Sequence, residues 1–111
     1  MNLEQRTEYF WRLRGEGRLH VFVAWYLMAS VAYYQWNETF IPDDDFDLMC
    51  FELYKAFDQI VHPHKHLLSR DALLAGTAFH LNHKDYPLRT RQAAWSLLYP
   101  NDRKFRRMPS V

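Results

Sequence analysis

A single cysteine, Cys50, means that the chain can form no internal disulfide and no cysteine-built zinc site. It lies within an apolar helical pattern and reads as buried and unreactive. Glycine is nearly as scarce: three glycines and five prolines in 111 residues leave too little turn chemistry for an all-β fold. No glycine-rich phosphate loop and no Gly-x-Ser-x-Gly nucleophile turn occurs, and Cys50 has no evident base beside it, so nucleophilic catalysis finds no support. Long apolar runs are also missing. The longest stretch without a formal charge, Leu19 to Asn37, includes His20, Ser30, Gln35 and Asn37, and reads as a buried central helix rather than a membrane span. No basic-then-apolar-then-small leader is present, so secretion is not indicated and a cytoplasmic protein is expected.

Apolar residues make up 49% of the chain and aromatics 17%, enough for one ordered core and too much for a disordered chain. The charges are unevenly distributed. Residues 1–83 carry seven basic and eleven acidic side chains, whereas residues 84–111 carry seven basic and only two acidic ones, so the chain is electrostatically two-ended.

Apolar spacing predicts an all-α bundle of about five helices in one domain, residues 1–102, followed by a basic tail, 103–111. The first helix covers 3–14 and is broken at Gly15-Glu16-Gly17. The second, 18–36, is apolar on two sides and is expected at the centre. Pro42 introduces a third at 43–60, with Phe46, Met49, Cys50, Leu53, Phe57 and Ile60 on one face. Pro63 bends the connection 61–68. Ser69 caps a fourth helix to about Leu81, and Pro87 opens a fifth to about Leu98. There is no internal repeat or low-complexity tract.

One stretch carries more chemistry than the rest. Tyr33-Tyr34 ends the second helix, and Ile41-Pro42-Asp43-Asp44-Asp45-Phe46-Asp47 begins the third. Asp43, Phe46 and Asp47 are separated by three and four positions and share a helix face. Aromatic faces attract a flat cationic ring through their quadrupoles, and carboxylates accept hydrogen bonds from a sugar diol. The simpler alternative is that the aspartates cap a helix N-terminus and the aromatic rings belong to the core.

Over about residues 19–60 this pattern resembles the small N-terminal helical domain of bacterial NAD-dependent DNA ligases. There a Tyr-Tyr or Tyr-His pair precedes an Ile-Ser/Pro-Asp-x-x-Tyr-Asp segment at the same spacing. The resemblance implies that Tyr33, Tyr34, Asp43, Phe46 and Asp47 hold the nicotinamide mononucleotide half of NAD. Tyr33 and Phe46 would pack on the ring, Asp43 and Asp47 would bind ribose hydroxyls or the carboxamide, and Tyr34 would face the phosphate. Phe46 lacks the hydroxyl of the family's tyrosine, and Asn37 stands where the ligases commonly have aspartate. The adenylated Lys-x-Asp-Gly motif is missing altogether: the four lysines are followed by Ala-Phe-Asp, His-Leu-Leu, Asp-Tyr-Pro and Phe-Arg-Arg. The chain is therefore not a complete DNA ligase, and the resemblance implies a module that complements a separate adenylation domain or senses NAD. A different class is a non-catalytic interaction protein docking on a replication or other nucleic-acid enzyme. The compact single-domain form suggests a bacterial or phage genome.

Two further groups stand outside that pattern. His62, His64 and His66 alternate, and His80 and His83 sit three apart, but their spacing fits backbone-bonded loop histidines better than a metal site. Arg103, Lys104, Arg106 and Arg107 form a basic end, expected to be mobile, that could neutralise nucleic-acid phosphates, with Arg89 and Arg91 extending the surface.

Overall fold

The computed structural model describes residues 1–109, and every regular element among them is helical. Ser110 and Val111 of the expected tail lie outside the described residues. The five α-helices are α1 (Leu3–Gly15), α2 (Leu19–Trp36), α3 (Asp43–Lys55), α4 (Arg70–Ala75) and α5 (Leu88–Leu98). Among the described residues no helix is long and apolar enough to cross a membrane.

The helix α1 starts at a capping box: Asn2 accepts from the Gln5 amide and the Gln5 side chain accepts from the Asn2 amide, which satisfies two otherwise orphan donors. It ends at the predicted glycines, with Gly17 at φ 67°, a conformation that costs glycine no Cβ clash. The next helix, α2, is buried over most of its circumference, from Phe22 to Ala32, and packs against α1, α3 and α5, while α4 packs on α3. Tyr26, Phe10, Phe40 and Tyr86 are among the fully enclosed side chains. Burying a large apolar side chain contributes about 1.5–3 kcal/mol, so these rings dominate the core. Cys50 is inside, and burial pushes its thiol up to about 12, the opposite of an activated thiolate.

Two expected boundaries are wrong. The third helix stops at Lys55 rather than residue 60, and its apolar stripe continues through a tighter 3-10 turn, Phe57–Gln59, which still turns Ile60 into the core. The fourth is only six residues long instead of reaching Leu81. Gly76 ends it in the left-handed conformation, φ 70°, with the Gly76 and Thr77 amides bonded back to the carbonyls of Leu73 and Ala72. Ser69 does cap it, accepting from the Ala72 amide at 3.2 Å.

The basic end is drawn into hydrogen-bonded turns among the described residues. Asp102 accepts hydrogen bonds from the backbone amides of Arg106 and Arg107, and successive turns run from Tyr99 to Met108.

Candidate functional site

The connection between α2 and α3 is short and heavily restrained. Asn37 closes α2 in the left-handed region at φ 54°, a conformation asparagine tolerates better than most residues. The buried Arg6 side chain, 5% exposed, reaches from α1 and donates through Nε to the Phe40 carbonyl at 2.6 Å and through Nη2 to that of Thr39 at 3.0 Å. A third bond goes to the Met1 carbonyl, and the guanidinium lies 5.3 Å from the Phe40 ring centroid. Burial lowers the Arg6 pKa, opposed by Glu38 and Tyr99. On the other side the Tyr99 hydroxyl donates to Glu38, and that bond, with burial, pushes the phenol up to about 12. The loop is thus held from α1 and from the end of α5.

Against this loop lies an open cleft of about 240 Å³. All five residues singled out in the sequence line it: Tyr33 and Tyr34 from α2, and Asp43, Phe46 and Asp47 from the first turns of α3. The rest of the wall comes from Ala29, Thr39, Phe40, Ile41 and Gly76. No arginine, lysine or histidine is among the lining residues.

The individual side chains are posed differently. Tyr33 is 54% exposed and meets Tyr34 edge-on at 5.0 Å between centroids. Partial burial raises the Tyr34 pKa, with the Ala78 backbone opposing it and Tyr33, Cys50 and Asp47 adding to it. Phe46 stacks on Tyr26 at 5.7 Å and 16°, so the core side of its ring is supported. Tyr26 is itself fixed, donating to the Thr77 carbonyl at 2.7 Å. That bond holds the chain just after Gly76 against α2, across from Asp47.

Asp43 does not cap α3. Pro42 occupies the cap position and makes no side-chain bond, while Asp43 opens the first turn, where a negative charge meets the positive end of the helix dipole. Neither Asp43 nor Asp47 has a hydrogen-bond or ion-pair partner among the described residues, whereas Asp45 is turned inward and only 9% exposed, its pKa raised by burial. Gly76 approaches Asp47 so closely that a Cβ on it would lie 2.8 Å from Asp47 Oδ1. Two free carboxylates and four aromatic side chains, Tyr33, Tyr34, Phe40 and Phe46, thus border one open cleft; aromatic faces attract cations and carboxylates accept hydrogen bonds from hydroxyl groups.

No family model, curated protein or solved structure matches the chain.

Sequence reasoning missed Gly76 and Arg6. Gly76 sat inside an apparent helix, although a glycine past the apolar face of a short helix was a usable stop signal. Arg6 carried no signal, because nothing local distinguishes a buried arginine from the exposed ones beside it. Ring nitrogens of His62, His66 and His80 are engaged by backbone groups, whereas both ring nitrogens of His83 are buried without a partner among the described residues. The His64 amide donates to His62 Nδ1 at 3.0 Å, His66 Nδ1 lies 3.1 Å from the Pro63 carbonyl, and His80 Nε2 lies 2.7 Å from that of Leu67. Among the described residues no group of three or more His, Cys, Asp or Glu side chains could hold a metal.

Proposed function

We propose that this chain is a nicotinamide-nucleotide-binding module, taking the nicotinamide and ribose of NAD or its mononucleotide between Tyr33 and Phe46. The observation that supports this most is the meeting of Tyr33, Tyr34, Asp43, Phe46 and Asp47 in a single cleft, with the two carboxylates unpartnered among the described residues. The ring cation lies against the aromatic faces, the ribose diol and carboxamide donate to Asp43 and Asp47, and the Tyr34 hydroxyl faces the phosphate. Size favours part of a dinucleotide. Pockets that enclose drug-sized ligands hold about 300–1,000 Å³, and this cleft offers about 240 Å³.

Two features imply weak binding. The cleft is open on one side, and no cation in its wall offsets a phosphate charge. A partner that supplied both, such as a separately encoded adenylation domain carrying the lysine nucleophile this chain lacks, would complete the site. Without one, a dissociation constant on the order of 0.1–1 mM, about 4–5.5 kcal/mol, is expected. The second reading, a docking protein for a nucleic-acid enzyme, draws on Phe79, which is 77% exposed and touches the Tyr34 ring at 5.1 Å. Calorimetric titration with nicotinamide mononucleotide separates the two. Binding that disappears in Asp47→Ala, with helical content retained, supports the ligand site. Equal affinity in the parent and the variant sinks it in favour of the docking reading.

A further inference from the structure

The basic end is organised around one carboxylate. Asp102 follows α5 and lies under the turn that contains the four cations. Its carboxylate accepts from Trp95 Nε1 at 3.0 Å, from the Arg106 amide at 2.9 Å and from the Arg107 amide at 2.8 Å. These bonds, with the Arg107 amide foremost, hold its carboxyl below the usual carboxylate range. The Asp102 amide donates to the Tyr99 carbonyl, and the Phe105 amide to the Asp102 carbonyl. Phe105 adopts φ 56°, and Phe105 and Met108 are half-buried. Arg103, Lys104, Arg106 and Arg107 are left exposed on either side of Phe105.

Of the ten other cations, four form ion pairs among the described residues, and Arg12, Lys65, Lys84, Arg89 and Arg91 form none. Arg14, Arg18, Lys55 and Arg70 each pair with a carboxylate. None of the four cations at 103–107 forms such a pair among the described residues. Four like charges in five positions repel one another, and the hydrogen bonds to Asp102 and the indole hold them together nonetheless. A turn built this way suits a partner with closely spaced negative charges.

We propose that residues 102–107 form a pre-folded site for the sugar-phosphate backbone of nucleic acid, with Asp102 as its positioning residue. Arginine forks match phosphate oxygens two at a time, and every neutralised phosphate releases counterions. The apolar residues of the segment argue against the other polyanions. A membrane surface recruits cations flanked by exposed apolar side chains, and an acidic protein interface needs an aromatic or aliphatic anchor at its centre. Here Phe105 and Met108 are each only partly exposed. Readout is through phosphate alone, so duplexes of different sequence bind alike.

The test is fluorescence anisotropy with a labelled duplex and a labelled single strand, at several salt concentrations, on the whole chain. Binding should weaken steeply with salt. Arg106→Glu with Arg107→Glu should lower affinity at least tenfold for all sequences and reduce the salt slope by about two. Asp102→Ala is the sharper variant, because it makes the protein more positive while releasing the turn. A several-fold loss of affinity shows that the folded arrangement matters. Unchanged or tighter binding by a folded Asp102→Ala protein overturns the pre-folded site. Should that variant lose its helical circular dichroism, the exposed Arg106 and Arg107 changes still decide whether this turn binds. Absence of binding to either nucleic acid at low salt overturns the proposal, as does tighter binding to phosphatidylserine vesicles or to a polyglutamate peptide.

Discussion

Gly76 is the position where fold and binding can be pulled apart. Its φ of 70° is left-handed, and a Cβ there would stand 2.8 Å from Asp47 Oδ1. An alanine held in that conformation costs about 1–2 kcal/mol, which in a domain near this size lowers the melting temperature by about 4–12 °C. The clash itself adds little to that loss, because Asp47 Oδ1 is the end of an exposed side chain that can swing aside. The swing takes the acceptor away from the ligand. A hydrogen bond to a charged group contributes about 1.5–3 kcal/mol, so affinity should fall by roughly tenfold to a hundredfold. Gly76→Asn separates the two effects. Asparagine tolerates the left-handed region, so its melting temperature should stay closer to the parent's, but it carries the same Cβ and should lose binding equally. Differential scanning calorimetry and titration with nicotinamide mononucleotide measure the two quantities on the same samples. If Gly76→Asn bound as well as the parent, the close approach of Gly76 would have no bearing on where Asp47 must stand.

Three further expectations follow from the same geometry. Arg6→Met removes two bonds to carbonyls of the α2–α3 connection and one to the Met1 carbonyl; at about 1 kcal/mol each, urea denaturation should show a loss of about 2–4 kcal/mol, and a loss below 1 kcal/mol would mean the loop is held by other contacts. Asp45 has a pKa raised by burial, so its charge opposes folding above that pKa and the penalty fades as pH falls through it. Asp45→Asn should therefore melt higher than the parent near pH 7 and converge with it near pH 3, and a variant less stable at neutral pH would contradict this. Phe46→Tyr should keep or tighten binding of the mononucleotide, while the reduced mononucleotide, whose ring is neutral, should bind more weakly to both proteins because the cation–aromatic attraction is lost.

The helical class was legible because α2 and α3 repeat apolar residues at helical spacing, and the domain buries those residues. The shared cleft was legible for a related reason: Asp43, Phe46 and Asp47 lie within five positions of one helix, where local geometry fixes their shared face. Helix ends were harder. Pattern alone extended the third helix to Ile60, since a 3-10 turn can continue an apolar stripe, and it carried the fourth past Gly76. Contacts between distant segments left no local trace. Arg6 reaches Phe40 across 34 positions, and Tyr26 reaches Thr77 across 51. The hydrogen-bonded turn at the basic end left no local trace either, because its acceptor, Asp102, looked like an ordinary turn residue, and its bond to Trp95 Nε1 depends on how α5 ends.

The central claim concerns which residues meet the ligand, and a two-dimensional amide NMR titration with nicotinamide mononucleotide reads this directly. Dose-dependent shifts should cluster at Tyr33, Tyr34, Asp43, Phe46, Asp47 and Gly76, saturating with a constant on the order of 0.1–1 mM. No shifts up to several millimolar in a folded protein, or shifts confined to residues 103–107, would contradict it.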